Sequence, residues 1–146
     1  MIRILVTDAA IDVAAELDAL ERAGGGAVAS FTGLVRDDGG VVELFLEHYP
    51  AATEKALSDL AAEAVQRWSL AAATVIHRVG AMKPGERIVF VGTAAAHRAA
   101  ALEACAFLID RLKTDAPFWK RETRGQDARW VGERDSDLDA ADRWKR

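Results

Sequence analysis

Leu112-Lys113-Thr114-Asp115-Ala116-Pro117-Phe118-Trp119-Lys120-Arg121-Glu122 is where a helical pattern gives way to an extended one. Pro117 has no N–H and biases Ala116 away from helical dihedrals, so the preceding helix has to stop there. Between Arg111 and Arg124 stand five bases (Arg111, Lys113, Lys120, Arg121, Arg124) and two acids (Asp115, Glu122), a local +3 in a chain of formal net charge -4. Lys113 and Lys120 flank the break beside Phe118 and Trp119, so their ammonium groups can lie against apolar, partly dry surface. Lysines in such places change pKa readily and suit proton transfer or anion stabilisation. The same residues also read as a solvated basic loop over a core Phe and Trp, because lysines are rarely buried.

Outward from that break, strands and helices alternate. Ile2, Ile4 and Val6 recur at the period of a half-buried strand over Met1–Val6. Thr7 and Asp8 are candidate caps for a helix running to about Arg22, with Ile11, Ala14, Leu17 and Leu20 on one face, ended by Gly24-Gly25-Gly26. Strands are expected at Ala27–Val35 and Val41–Tyr49, with Asp37-Asp38-Gly39-Gly40 between them as a hairpin loop. Pro50 opens a helix to about Trp68. Two further strands, Ala73–Val79 and Arg87–Thr93, are joined by Lys83-Pro84-Gly85-Glu86. A helix is expected over Ala95–Lys113, then short strands near Phe118–Thr123 and Arg129–Val131, then a helical turn or two from Asp135 to Trp144.

Composition bounds the class. At 146 residues, 51% of them hydrophobic, the chain fits one domain spanning residues 1–146 with its own core. Its single cysteine, Cys105, excludes an internal disulfide and a multi-cysteine zinc cage. No apolar run approaches ~20 residues and no signal-peptide pattern opens the chain, so a cytoplasmic protein with no membrane partner is expected. A pI near 5.4 argues against the broad basic face that non-specific nucleic-acid binding requires.

Other polar features stand out. Arg36 sits where a strand meets an acidic, Gly-rich loop, and its guanidinium can turn over the sheet edge or pair with Asp37 or Asp38. His97-Arg98 follow Ala94-Ala95-Ala96 at a strand-to-helix junction, where unsatisfied N–H groups and the helix dipole favour an anion. A phosphate between Arg36 and Arg98 is therefore expected. Glu47-His48 offers no third metal ligand in sequence, so no metal is expected. His77-Arg78 lies within a strand, one side chain inward and one outward, and reads as structural. Cys105 shares a helical stripe with Ala101, Leu102, Ile109 and Leu112, which places its thiol on a buried face and out of the chemistry.

Taken together, Phe31-Thr32-Gly33-Leu34-Val35-Arg36, Leu46-Glu47-His48-Tyr49-Pro50 with Thr53-Glu54, Arg67-Trp68, Ile76-His77-Arg78-Val79-Gly80, His97-Arg98, Leu112-Lys113, Ala116–Glu122 and Trp130-Val131 with Arg143-Trp144 resemble the large, catalytic subunit of molybdopterin synthase. The resemblance runs in order along nearly the whole chain. Ala51-Ala52 after Tyr49-Pro50, and the short Gly39-Gly40 loop, depart from the family pattern.

That resemblance implies an α+β fold, the α/β hammerhead: a mixed, mainly antiparallel sheet with packed helices and a small β subdomain. It implies conversion of cyclic pyranopterin monophosphate to molybdopterin, in molybdenum cofactor biosynthesis. The two sulfurs come from the C-terminal thiocarboxylate of a small ubiquitin-like carrier ending in Gly-Gly. It implies a homodimer within a heterotetramer, one carrier at each end, and no cofactor of the chain's own. By the same resemblance Lys113 and Lys120 are the catalytic residues. The substrate is bound by Leu34, Val35, Arg36, His97, Arg98, Lys113, Lys120, Arg121, Glu122 and Arg134, with Glu122 orienting Lys120 or Arg121 and Arg134 coming from the neighbouring subunit. A non-enzymatic anion- or nucleotide-binding module would use the same basic residues without needing two lysines beside aromatics. An assembly scaffold would instead use the alanine-rich helices.

Overall fold

The computed structural model describes residues 1–124, 127–131 and 144. Two four-stranded sheets and three helices account for the described chain, in the α+β class expected. The first sheet contains β1 (Ile2–Thr7), β2 (Ala27–Leu34), β4 (Ala72–Arg78) and β6 (Arg87–Ala95), in the order β1-β4-β6-β2. Only β1 and β4 run parallel; β4 with β6 and β2 with β6 are antiparallel. The second sheet, wholly antiparallel, contains β3 (Val41–His48), β5 (Gly80–Met82), β7 (Phe118–Arg124) and β8 (Asp127–Val131), in the order β5-β3-β7-β8.

The central strands of the first sheet are buried along nearly their whole length because helices cover both faces. All seven residues of β4 are buried. On one side lies α1 (Val13–Arg22), whose Leu20 packs with Ile76, Phe90 and Ala94. Gly92 allows this approach: a Cβ there would stand 2.3 Å from Leu20 Cδ1. On the other side α2 (Pro50–Trp68) and α3 (Arg98–Asp115) bury Leu57, Ala61, Ala64, Ala104, Phe107 and Leu108 against Val75 and Val91. Trp144 packs edge-on to Phe107 and Trp68, and its indole N–H donates to Asp110 Oδ2 at 2.7 Å. Among the described residues the second sheet carries a small apolar cluster, Val35, Leu44, Leu46 and Met82.

Several expectations are corrected. Helix α1 is capped by Asp12, whose Oδ1 accepts from the Ala15 N–H, and not by Thr7 or Asp8. Thr7 is still in β1, paired with Arg78. Residues 37–40 do not close a hairpin: β2 pairs with β6 and β3 with β5 and β7, so this loop carries the chain from one sheet to the other. A short 3-10 turn forms there, with Gly39 at φ +67°. Between β4 and β6 lies a strand not anticipated, β5, which adds to the second sheet beside β3. Ala95 belongs to β6, held by its pairing with Ala27, so α3 begins at Arg98. His77 and Arg78 are both buried, because a strand covered on both faces has no outward side. The helical turn expected from Asp135 lies outside the described residues, Trp144 excepted. No helix among them is long and apolar enough to cross a membrane.

Candidate functional site

The end of α3 and the start of β7 meet at Pro117. The Ala116 N–H bonds to the Leu112 carbonyl at 3.4 Å and the Phe118 N–H to the Ala116 carbonyl at 3.0 Å. The chain thus leaves the helix and enters the strand within a few residues. Lys113 occupies the last turn of α3, where the negative end of the helix dipole favours a cation. In β7 side chains alternate between faces, so Lys120, Glu122 and Arg124 share one face and Trp119 and Arg121 the other.

Lys113 and Lys120 come together in a cleft of about 130 Å³. Leu34, Val35, Arg36 and Asp38 line it from the end of β2 and the following loop, Val41 and Leu44 from β3, Ile88 from β6, and Glu122 and Arg124 from β7. Arg36 Nη1 lies 3.9 Å from Asp38 Oδ2 with both side chains largely exposed, so its alternative as an ion pair with the loop is realised beside the cleft. Arg124 Nη2 is 2.8 Å from Glu122 Oε2, while its Nε donates to the Gly39 carbonyl at 3.1 Å, tying the loop to β7. Glu122, expected to orient Lys120 or Arg121, is thus paired with Arg124.

The local excess of positive charge is sorted by these contacts. Arg111 lies outside the cleft, between Asp115 at 2.7 Å and Glu63 at 3.2 Å. Arg121 turns to the opposite face of the sheet, its guanidinium 5.0 Å from the Phe45 ring and 5.9 Å from that of Trp130, the two residues paired with it across the ladder. It does not line the cleft with Lys120. His97 and Arg98 are exposed at the N-terminal end of α3. Arg98 and Lys113 stand fifteen positions apart along the helix, about 22 Å at 1.5 Å per residue. A single chain therefore does not bring Arg36 and Arg98 to one phosphate. Arg134 lies outside the described residues.

Behind the cleft, His77 is buried and stacked on Phe118, ring centroids 4.0 Å apart and planes 24° from parallel. Its Nδ1–H donates to the Arg78 carbonyl at 2.8 Å. Burial pushes its pKa down from 6.5 to about 4, the carbonyl contact opposes this, and the charges of Lys120, Lys113 and His48 push it further down. The imidazole is therefore neutral near pH 7. Arg78 reaches the Asp8 carbonyl at 3.0 Å and Glu86 at 3.3 Å. Cys105 is buried, its thiol pushed up to about 11 by desolvation, as its place on the helical stripe implies.

Arg124 and Asp38 line the cleft although the sequence does not single them out for it, and His77, which the sequence marks as structural, stacks on Phe118. The spacing Lys120, Glu122, Arg124 already placed three charges on one strand face. Nothing in the sequence signalled that Phe118 would lie against His77, since the two belong to different sheets.

A family model described as MoaE protein matches residues 6–115. The chain is 54% identical to the molybdopterin synthase catalytic subunit of Pseudomonas aeruginosa, over 97% of this chain and 98% of that one. Among solved structures, the molybdopterin biosynthesis MoaE protein from Burkholderia ambifaria superposes with a TM-score of 0.86 at 45% identity, covering 99% of this chain and 98% of that one. A Helicobacter pylori structure, a protein–protein complex of subunits 1 and 2 of molybdopterin-converting factor, shares the fold at a TM-score of 0.76 and 22% identity, covering 91% of each chain.

Proposed function

The chain belongs to the MoaE protein family, and from that premise we propose that it converts cyclic pyranopterin monophosphate to molybdopterin. Each of the two sulfurs is taken from the C-terminal thiocarboxylate of a small ubiquitin-like carrier ending in Gly-Gly. One observation carries this reading: Lys113 and Lys120, delivered by a helix end and a strand start, line one cleft with Arg36 and Glu122.

The residues suit the chemistry. The substrate is a planar anion, and Arg36 with the Leu34-Val35 segment offers it a guanidinium beside an apolar wall. The thiocarboxylate sulfur bonds to a pterin side-chain carbon as that carbon's bond to oxygen breaks and the oxygen leaves protonated, so that carrier and substrate are joined as a thioester. Water then cleaves the acyl carbon–sulfur bond, leaving sulfur on the pterin and a carboxylate on the carrier. Lys113 neutralises the thiocarboxylate and the oxyanion of the tetrahedral species formed in that cleavage. Lys120 serves proton transfer or oxyanion stabilisation at the carbons that accept sulfur. The nucleophilic sulfur belongs to the carrier, which is how a chain with one buried cysteine can insert sulfur.

His97, Arg98 and Arg134 enter this reading from a second copy of the chain, since one chain holds the first two far from its own cleft. The exposure of Val28, Phe31 and Leu34 on β2, an edge strand, supports such a pairing. Two copies, each with a carrier, make the heterotetramer, and residues 1–146 act as one unit in the cytoplasm. The test is conversion of the pyranopterin precursor in vitro with thiocarboxylated carrier. Sulfur appears on the pterin, two carriers spent per product; a folded complex that binds precursor and incorporates no sulfur would leave only an anion-binding module.

A further inference from the structure

We infer that His77 is a positioning residue for the lysine pair: its ring, stacked on Phe118, locks the junction between α3 and β7 so that Lys113 and Lys120 face one cleft. The inference rests on the proposed role of those lysines, and its test includes a measurement that does not.

The two lysines belong to elements of different kinds, and six residues of chain join them through the Pro117 break. Something must fix the angle at which β7 leaves α3. Phe118, the first residue of β7, shares its strand face with Lys120 two positions on. Its ring lies on His77, a residue of β4 in the other sheet, with centroids 4.0 Å apart. His48, directly across the ladder from Phe118, tilts against the same ring at 6.2 Å. Among the described residues this stack is the ring contact that joins the two sheets. His77 is itself anchored, because β4 is paired on both sides, at Val6 and at Val89, and Nδ1–H is committed to the Arg78 carbonyl.

A neutral aromatic is the side chain this place requires. A cation would repel the ammonium groups of Lys113 and Lys120, whose charges reach the imidazole, and an aliphatic residue would lack the flat face that Phe118 covers. Burial and those lysines keep the imidazole neutral at pH 7.

The experiment compares His77→Ala, His77→Phe and Phe118→Leu with wild type and Lys120→Ala, each in complex with thiocarboxylated carrier. Turnover is measured alongside the rate at which acetic anhydride labels Lys113 and Lys120, read site by site by mass spectrometry. His77→Ala lowers kcat by up to about 10²-fold, the scale of a misplaced catalytic group. It leaves KM for the precursor near wild type and changes the relative labelling of the two lysines. His77→Phe, which keeps the stack, restores both. Phe118→Leu reproduces the loss from the other side and serves if His77→Ala fails to fold. A folded His77→Ala or Phe118→Leu complex with wild-type kcat and labelling overturns the inference, as does a His77→Phe variant no better than alanine. If Lys120→Ala itself turns over normally, the catalytic reading of the lysine fails, and the labelling ratio still decides whether His77 positions it.

Discussion

The two sheets divide the work of the molecule. In the first, β4 and the interior of β6 are covered on both faces, and the side chains there are chosen for volume. In the second, β7 is half-buried along most of its length, with a charged face toward the cleft and guanidinium–aromatic contacts behind. A sheet packed between helices can be changed only at the expense of stability, whereas one open to solvent can carry charges whose loss is felt in chemistry. The comparison predicts that stability and activity separate by sheet.

The largest effect is expected in the core packed on the first sheet. Phe107 is fully buried against Trp68 and Trp144, so Phe107→Ala destabilises by about 3–5 kcal/mol. Denaturant melts check this, and activity measured on the remaining folded fraction stays near wild type. In the second sheet and the helix end beside it the pattern reverses. Lys113→Ala and Lys120→Ala leave the melting profile nearly unchanged and lower turnover by ~10²–10³, the usual consequence of losing one transition-state charge contact. Folded variants that convert precursor at wild-type rates would break the comparison at its functional end.

His77, which touches both sheets, gives a pH signature. Its pKa is about 4 when folded and 6.5 in the reference state, held down by burial first and then by Lys120, Lys113 and His48, with only the Arg78 carbonyl opposing. Between those values the unfolded chain takes up a proton that the folded chain does not. The stabilisation is complete above pH 6.5 and is lost as pH falls toward 4, by up to roughly 3 kcal/mol. Urea melts across that range, wild type against His77→Phe, should diverge in that direction; parallel curves would mean the imidazole is not buried neutral. The smallest effect is at Cys105, on the core face of α3. Cys105→Ala lowers stability on the order of 1 kcal/mol and keeps sulfur transfer, because a thiol pushed up to about 11 holds little thiolate. A stable alanine variant unable to transfer sulfur would relocate the chemistry to α3.

Much of this was legible in the chain. The helix ending at Pro117, the helix opening at Pro50 and the burial of Cys105 with Ala101 and Leu112 follow from dihedral limits and from apolar spacing, which are local, although Leu102, expected on the same stripe, is exposed. The loop at residues 37–40 shows where local reading stops. An acidic Gly-Gly turn between two strands looks like a hairpin, yet the ladder partners of β2 and β3 lie in different sheets. Residue type and resemblance single out Lys113, Lys120, Arg36 and Glu122, and all four line the cleft. Arg121 was picked out in the same way and faces the other side, because strand alternation separates neighbours that sequence places together.

By itself the sequence determined most element positions and the residues able to do anion and proton chemistry, since these depend on side-chain type and short-range spacing; the α+β class came with the family resemblance. Tertiary structure alone decided which of those residues meet. It split the strands between two sheets, set His77 on Phe118, and placed Arg98 about a helix length from Lys113. The physical reason is that strand pairing and ring stacking join residues distant along the chain, and their free energy is gained only when the whole layer packs.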